Sequence, residues 1–317
     1  MSAGVAPLDV VTGAFSYSGS AIAGELLRAG RRVRTLTGHP ERAPAGTSIE
    51  VRALNFTDPA ELAASLQGTH TLYNTYWLRF ARGALDHDVA VANSRTLFEA
   101  AAATQVQRIV HVSITKPSVD SPYPYFRGKA EVERILTQVG VSHAIVRPAI
   151  LFGGDGVLVN NIAWLLRHLP VFAVGGRGRY RVRGIHIDDL ARLCVELGGR
   201  GDRVVVDAVG PQSLTFRELV DVVRAAVGSR ALVVPVAPIL VPVLSQALGL
   251  VLHDTLLTRD EYRAMADGLA DCDAPSTGRI AFTDWVAEHG WQLGRTYANE
   301  LDRHFRLAPR TAPDSRH

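Results

Sequence analysis

The stretch TGAFSYSGSAIAGELL, Thr12–Leu27, joins the apolar run LDVVTGA to a helical pattern that starts at Ser20. The apolar run predicts a strand, so the glycines stand in a turn between a strand and a helix. Such a turn is a preferred place for the pyrophosphate of a dinucleotide, because the first N–H groups of the helix and the helix dipole favour negative charge. The usual pattern has three glycines, and this turn has two.

The spacing of the turn is G-x-x-S-x-x-G, with Gly13, Ser16 and Gly19 at the marked positions. Gly13 permits a tight turn, and Gly19 allows the helix to approach the sheet closely. We expect the amides of Ser16, Tyr17 and Ser18 to face a pyrophosphate, and the small Ser16 hydroxyl to donate a further bond. The alternative is that the glycines serve packing alone.

Apolar β-branched runs alternate with helical patterns through the first half of the chain. Further predicted strands are RRVRTLT, THTLYNTYW, QRIVHVSIT and SHAIVRPAILFG, and further predicted helices cover DPAELAASLQG, residues 86–104 and residues 127–139. This alternation predicts an α/β fold with a doubly wound parallel sheet covered by helices on both faces. A smaller, mostly helical C-terminal region, which includes TFRELVDVVRAAVG, is expected to hold the substrate.

The predicted domain boundaries lie where the alternation of strands and helices breaks down. The core covers residues 1–153, and GIHIDDLARLCVEL with DRVVVDAVG returns to it over residues 184–210. Residues 154–183 and 211–307 form the substrate region, and residues 308–317 are expected to be a disordered tail.

Charge and cysteine content narrow the function classes. The 34 basic and 31 acidic residues give a net charge of +3 without a polybasic block, so we expect no nucleic-acid partner. Cys194 and Cys272 lie far apart, which indicates neither a disulfide framework nor a thiolate zinc site and favours a reducing cytoplasm. The first residues lack the pattern of an export signal.

One segment, Ala231–Leu252, carries no charge over about the length that spans a bilayer. Pro235, Pro238 and Pro242 interrupt it, which predicts a strand, a turn and then a helix from about Ile239. We expect no membrane-spanning segment and an apolar helix packed in the smaller region. A spanning helix and a hydrophobic surface for substrate, partner or membrane are the alternatives.

Several motifs in order resemble one family. The opening turn is similar to the TGATGFIG turn of the extended and atypical short-chain dehydrogenase/reductases, and YFRGK at Tyr125–Lys129 resembles their YxxxK pair. Three further stretches resemble segments of the same family: IVRPAILFG at Ile145–Gly153, GIHIDDLA at Gly184–Ala191 and YNTYWLRF at Tyr73–Phe80. The likeness covers about residues 8–220 and is closest to the NAD(P)-binding branch with NmrA-like proteins and an accessory subunit of respiratory complex I. It implies a Rossmann domain that binds NAD(P).

The cofactor preference depends on the end of the second strand, TLTGHPER. Thr37 stands where the family's NAD-binding members have an Asp, so nothing there repels a 2′-phosphate. His39 and Arg42 lie close in sequence and are candidate phosphate ligands. Relatives that prefer NADP often have Arg where this chain has Gly38. We predict NADP, with NAD as the alternative.

The resemblance also implies contacts along the rest of the cofactor. Asn55 looks like the adenine contact, and Asn74 with Thr75 falls where the chain passes the riboses. Pro148 closes the Arg-Pro strand that borders the cofactor, and Lys129 is expected to bond the nicotinamide ribose. For the two asparagines, ordinary turn chemistry is the alternative.

Tyr125 and Lys129 are four residues apart, so on a helix both side chains lie on one face. A buried ammonium beside a phenol would lower the pKa of Tyr125, making it a candidate proton donor to a carbonyl that receives hydride. Family enzymes place a Ser or Thr at the end of the fifth strand, where this chain aligns Ile114. Ser113 and Thr115 flank Ile114, and Ser113 is the candidate for that hydroxyl with Thr115 as the alternative.

The sequence therefore predicts an NAD(P)-dependent oxidoreductase that transfers hydride to or from a carbonyl or hydroxyl of a small hydrophobic molecule. The aromatic residues Tyr76, Trp77 and Phe80 favour an apolar substrate. The alternatives are a noncatalytic NAD(P) sensor or scaffold like the NmrA-like regulators, favoured by Ile114, and a nucleotide-sugar epimerase or dehydratase. The partner is a small-molecule substrate, and a homodimer is left open.

A metal site is not expected. His186, Asp188 and Asp189 could be imagined as ligands, but H-x-D-D at the start of a helical pattern favours a strand-to-helix junction with an Asp capping the helix.

Overall fold

A computed structural model describes residues 6–79 and 86–299. The strands are β1 (Leu8–Thr12), β2 (Arg32–Thr37), β3 (Glu50–Ala53), β4 (Thr69–Asn74), β5 (Arg108–Val112), β6 (Ser142–Pro148), β7 (Ile150–Phe152), β8 (Val171–Gly175), β9 (Arg181–Val182), β10 (Gly184–His186), β11 (Val204–Ala208), β12 (Leu214–Thr215) and β13 (Leu232–Val236). The α-helices are α1 (Tyr17–Arg28), α2 (Pro59–Leu66), α3 (His87–Ala103), α4 (Pro124–Gln138), α5 (Val157–His168), α6 (Ile187–Gly198), α7 (Phe216–Ala226), α8 (Leu240–Leu252), α9 (Arg259–Ala266) and α10 (Phe282–His289).

Seven strands form one parallel sheet in the order β11-β6-β5-β4-β1-β2-β3. The chain builds outward from β1 through β2 to β3, then returns to the other side of β1 with β4. The strand order therefore reverses between β1 and β4, and the carboxyl ends of strands at such a reversal border the ligand crevice in doubly wound sheets. The predicted α/β fold is confirmed.

Helices cover both faces of this sheet, which explains why strands β1 and β5 are buried throughout. One face packs under α1 and α6 around residues such as Ile22, Val110 and Leu190. The other packs under α2, α3 and α4 around residues such as Leu72 and Phe98. The sheet is thus held rigidly between two cores, and its carboxyl ends are fixed in position.

A third core lies outside this sheet and belongs to the smaller, mostly helical C-terminal region. It joins α5, α7 and α10 around Phe152, Val220 and Trp285. Two-stranded ladders, β7 with β10, β8 with β13 and β9 with β12, border it. Segment 184–210 supplies α6 and the edge strand β11 of the large sheet. The domain boundaries given above stay predictions. Residues 308–317 lie outside the described ranges.

Several element boundaries differ from the sequence-based expectation. Helix α1 begins at Tyr17 rather than Ser20. Helix α4 begins at Pro124 rather than Arg127, because proline suits the first turn of a helix. The run SHAIVRPAILFG forms two strands, since β6 pairs with β5 and β11 whereas β7 pairs with β10.

The uncharged segment forms β13 and then α8, as predicted. The expected packing of this helix is wrong, because Gly249 is its one buried residue and most of its large apolar side chains are exposed. Among the helices that the structure describes, none is both long and apolar enough to cross a membrane.

Candidate dinucleotide and catalytic site

The glycine turn lies at the carboxyl end of β1, at the reversal of the strand order. Gly13 has a φ of +67° and its amide donates to Leu36 O at 2.8 Å, which ties the turn to β2. A Cβ atom on Gly19 would lie 2.1 Å from Gly13 O, so only glycine allows α1 to approach the turn this closely. The result is a backbone cradle that ends at the N-terminus of α1, and this geometry fits a pyrophosphate.

Ser16 differs from its expected role in this cradle. Its hydroxyl donates to Gly13 O at 2.6 Å and its amide donates to the same oxygen at 2.8 Å, so both donors close the turn instead of facing a phosphate. Tyr17 and Ser18 open α1, where the first N–H groups have no acceptor within the helix. The Tyr17 hydroxyl donates to Gly153 O at 2.7 Å and thereby joins the turn to the segment after β7.

The turn after β2, where the adenosine half of a dinucleotide is expected, contains a carboxylate that sequence reasoning missed. Thr37 ends β2, and its hydroxyl accepts from the His39 amide at 3.1 Å. His39 Nδ1 lies 3.1 Å from Glu41 Oε1, and Glu41 and Arg42 belong to a short 3₁₀ turn. The predicted phosphate ligand His39 is therefore already beside a carboxylate. The signal was present in the letters HPER, as an acidic residue two positions after the histidine.

The predicted adenine contact, Asn55, forms a local turn. Its side-chain oxygen accepts from the Thr57 amide at 3.0 Å, and its amide donates to Glu61 Oε2 at 2.7 Å. These bonds match ordinary turn chemistry, and Asn55 stays only partly buried.

Asn74 is fully buried behind the crevice rather than on its surface. Its side-chain oxygen accepts from Thr12 Oγ1 at 3.1 Å, and its nitrogen lies 3.0 Å from His111 Nδ1. Thr75 Oγ1 donates to Thr12 O at 2.5 Å, so it also bonds inward. Burial, with the charge of nearby Lys129, holds the pKa of His111 well below its usual value. His111 was not singled out from the sequence, although a histidine inside the apolar run RIVHV was a visible signal.

Lys129 is 3% exposed and lies at the carboxyl end of β5. Its Nζ donates to Val112 O at 3.0 Å and lies 4.6 Å from the centre of the Trp77 ring. Burial lowers the pKa of Lys129 to about 7, because desolvation disfavours the charged amine.

Tyr125 lies one helical turn before Lys129 and is partly buried. Its ring meets the rings of Trp77 and His87 edge-on, each with 5.6 Å between ring centres. Burial raises the pKa of Tyr125 to about 12, partly offset by the charge of Arg79. The expected lowering of this pKa by Lys129 is wrong, because that amine bonds to β5 and packs on Trp77 instead of lying against the phenol.

The hydroxyls after β5 are buried without partners. Ser113 Oγ and Thr115 Oγ1 have no hydrogen-bond partner in the described part of the chain, and both residues are at most 5% exposed. The Thr115 amide donates to Pro148 O at 2.9 Å, so Pro148 closes this edge of the sheet. Ile114 points elsewhere and packs with Tyr125 around the cluster of Tyr123, Phe126 and Ala264.

The H-x-D-D motif forms the expected strand-to-helix junction, but its cap differs from expectation. The ring of His186, not an Asp, caps α6 by accepting from the Asp188 amide at 3.2 Å. Asp189 is buried and accepts from the amides of Arg279 and Ile280 at 2.8 Å each. The Asp189 carboxylate therefore bonds to the backbone of the C-terminal region. Phe80, predicted beside Tyr76 and Trp77, lies outside the described residues.

Comparison with known proteins agrees with this geometry. Residues 13–163 match the family model described as NAD(P)H-binding. An uncharacterized protein, y4nG, of Sinorhizobium fredii is 26% identical over 265 residues, which cover 76% of this chain and 66% of that protein. The mitochondrial NADH dehydrogenase (ubiquinone) 1 alpha subcomplex subunit 9 of Dictyostelium discoideum is 26% identical over 121 residues, or 37% of this chain and 33% of that protein. The chain thus spans between a third and two thirds of the length of these relatives.

Three solved structures share the fold over most of the chain. Triphenylmethane reductase of a Citrobacter species, complexed with NADP(H), has a TM-score of 0.72 at 16% identity and covers 89% of this chain and 99% of its own. The NADPH-dependent quinone oxidoreductase QOR2 of Escherichia coli, complexed with NADPH, gives 0.72 at 19% identity with the same coverage of 89% and 99%. MoeE5 with UDP-glucose and NAD gives 0.65 at 18% identity, covering 90% and 98%.

At these identities the solved structures establish the fold alone, and the NAD(P)H-binding model covers the residues of the cradle. Residues 13–163 match an NAD(P)H-binding domain, and the chain has a Rossmann-type architecture.

Proposed function

We propose that this protein is an NADP-dependent oxidoreductase that transfers hydride between the cofactor and a carbonyl or hydroxyl of a small hydrophobic molecule. The domain match supports the dinucleotide, and the reaction and substrate class rest on the side chains around β5 and α4. The reductases among the structural neighbours share the fold with this chain.

The observation that carries the proposal is the set of unpartnered hydroxyls at the carboxyl end of β5. A hydroxyl buried without a partner costs about 1–3 kcal/mol, so such groups need an explanation in a native structure. Ser113 and Thr115 both carry one, next to the crevice where the nicotinamide end of a dinucleotide is expected. A bound cofactor or substrate oxygen would supply the missing partners.

In the proposed reaction, Tyr125 gives its proton to the substrate oxygen as the carbonyl carbon is reduced. A bound nicotinamide dinucleotide supplies the hydride. The phenol of Tyr125, whose pKa burial raises to about 12, is protonated at neutral pH and so can donate in the direction of reduction. The phenolate then recovers a proton from solvent. Ile114, which packs with Tyr125, offers an apolar wall that suits a hydrophobic substrate.

The preference for NADP rests on the end of β2. No carboxylate stands at Thr37, and Arg42 lies in the turn that follows. Glu41 beside His39 weakens the case for His39 as a phosphate ligand, so we assign the 2′-phosphate to Arg42 first. Two structural neighbours were crystallised with NADP(H) or NADPH.

Replacing Tyr125 by Phe tests the chemistry. General acid catalysis is worth about 10²–10⁴-fold, so Tyr125→Phe should lower turnover by that factor and leave dinucleotide binding intact. Lys129→Met should lower turnover and also weaken cofactor binding. The measurement is nicotinamide absorbance across apolar ketones, quinones and secondary alcohols, beside calorimetric binding of NADPH.

The matched control is Tyr123→Phe, at the N-cap of the same helix, because the Tyr123 hydroxyl is bonded to Asp267. It should leave turnover unchanged. Turnover that survives Tyr125→Phe would exclude the catalytic assignment, even for a protein that oxidises NADPH.

A noncatalytic NAD(P) sensor is the second candidate, and one observation favours it. Trp77 lies over the ammonium of Lys129, and among the described residues no hydrogen bond joins Lys129 to Tyr125, so the expected catalytic pair is not assembled. A sensor predicts that Tyr125→Phe changes nothing and that Lys129→Met alters affinity alone. The epimerase, the homodimer and the cytoplasmic location stay predictions from the sequence.

Adding a carboxylate at the end of β2 tests the cofactor preference. Thr37→Asp should shift affinity from NADP toward NAD, because the new charge repels the 2′-phosphate and accepts bonds from the ribose hydroxyls. Calorimetric titration of the unmodified protein and of Thr37→Asp with NADP and with NAD measures the ratio of the two affinities in each protein. Tighter binding of NAD than of NADP by the unmodified protein would contradict the proposal.

A further inference from the structure

The solvent side of helix α8 is apolar along its whole length. Its exposed large side chains, with the residue before the helix, are Ile239, Leu240, Val243, Leu244, Leu250 and Val251. Ile239, Leu250 and Val251 are each more than 70% exposed, at 74%, 79% and 72%. Gln246 is the one exposed polar residue of the helix, and no charged residue occurs between Ala231 and Leu252.

The opposite side of α8 is already in use. Gly249 is its one buried residue, and a Cβ there would lie 2.5 Å from Asp254 O. Ser245 Oγ donates to Leu257 O at 2.9 Å and accepts from the Leu257 amide at 3.1 Å. The helix is therefore fixed by the segment that follows it, and its apolar side cannot turn inward. A helix that is apolar all round belongs in a core or against lipid.

Two cations stand at the start of α8. Arg177 and Arg179 are exposed in the loop after β8, and neither has an ion pair in the ranges that the structure describes. Their loop is joined to the segment before α8, because the Gly176 amide donates to Val236 O at 2.7 Å. Unpaired arginines beside an exposed apolar face match the anionic headgroups and acyl chains of a lipid surface.

We propose that α8 docks this protein on the surface of a membrane that contains anionic lipids. The 13 residues of α8 give a length of about 20 Å, short of the roughly 30 Å hydrocarbon core, so the helix lies in the interface rather than crossing it. A second copy is a poorer occupant. A second copy would bring the same positive charge to this face, whereas an anionic lipid surface complements that charge. The proposal does not depend on the proposed oxidoreductase activity.

Vesicle flotation tests this docking. The full chain should float with vesicles of 70% phosphatidylcholine and 30% phosphatidylglycerol, and much less with phosphatidylcholine alone, at low salt. Leu244→Asp combined with Val251→Asp should reduce the bound fraction at least tenfold. Arg177→Gln combined with Arg179→Gln should reduce partitioning to the anionic vesicles roughly 30-fold, at about 1 kcal/mol per arginine.

The matched control is Val119→Asp, an exposed apolar residue that lies beside α3 and α4, which should leave flotation unchanged. Circular dichroism and NADPH binding verify that each variant is folded. Absence of flotation, or equal flotation of the double Asp variant, overturns the proposal. So does a dimer that this variant abolishes, which would identify a second copy. Flotation of a chain ending at Asn299, but not of the full chain, would show that residues 300–317 occupy the face and would also overturn it.

Discussion

At the scale of single residues, Gly19 determines whether the turn can hold a pyrophosphate. A Cβ atom at this position would lie 2.1 Å from Gly13 O and 2.7 Å from Gly13 C, and both are backbone atoms that cannot rotate away. Any larger residue must push α1 off the turn, and the first N–H groups of the helix would move with it.

Gly19→Ala is therefore expected to weaken NADPH binding at least tenfold, which corresponds to about 1.4 kcal/mol or more. Isothermal calorimetry on the folded variant measures the change. Gly24→Ala is the matched control, because Gly24 lies in the same helix with no atom within 4 Å of its added Cβ. Equal affinities for the two variants would remove the phosphate site from this turn.

At the scale of elements, helix α4 accepts a glycine in its interior so that Trp77 can pack against it. A Cβ on Gly128 would lie 2.8 Å from Cη2 of the Trp77 ring. Glycine inside a helix costs about 1 kcal/mol relative to alanine, so close packing outweighs helix propensity here. The same indole meets Tyr125 edge-on and lies over Lys129, so Gly128 indirectly positions both candidate catalytic residues.

We expect Gly128→Ala to lower the free energy of unfolding, although alanine favours the helix. In a Trp77→Leu background the clash is relieved, and Gly128→Ala should become neutral or stabilising by up to about 1 kcal/mol. Urea denaturation of the unmodified protein, the two single variants and the double variant gives the coupling free energy between positions 77 and 128. An identical effect of Gly128→Ala in both backgrounds would show that the indole does not limit this position.

At the scale of the whole molecule, Asp189 ties the dinucleotide-binding part to the C-terminal region. Its side chain is fully buried, bonds two backbone amides about 90 residues away and forms an ion pair with Arg192 at 2.8 Å. A buried carboxylate with this many donors stabilises the contact only while it stays an acceptor.

Asp189→Asn should therefore lower the free energy of unfolding by about 1–3 kcal/mol, because the new amide directs N–H groups toward other N–H groups. Asp188→Asn is the comparison within the same motif. Its side chain is 61% exposed, so the change should stay within about 0.5 kcal/mol. Urea denaturation measures the free energy of unfolding of both variants. Equal losses would mean that the hydrogen bonds of Asp189 stabilise the fold no more than the exposed Asp188 does.

The order of strands and helices was predictable because it depends on local pattern. β-branched runs with helical segments between them require a parallel sheet, and a glycine turn after the first strand marks the reversal of strand order. The run from Ala231 to Leu252 was likewise readable as a strand, a turn and a helix, since each proline blocks continuation of the element before it.

The sequence by itself thus determined the fold class, the dinucleotide turn and the helix that carries Tyr125 and Lys129. Only the tertiary structure decided what those two side chains do, because their neighbours come from distant parts of the chain. Helical spacing puts both on one face, but Trp77 packs on Lys129, and β5 supplies the carbonyl that its amine binds. Burial, which no local pattern specifies, then raises the pKa of the phenol and lowers that of the amine, since desolvation disfavours whichever form is charged.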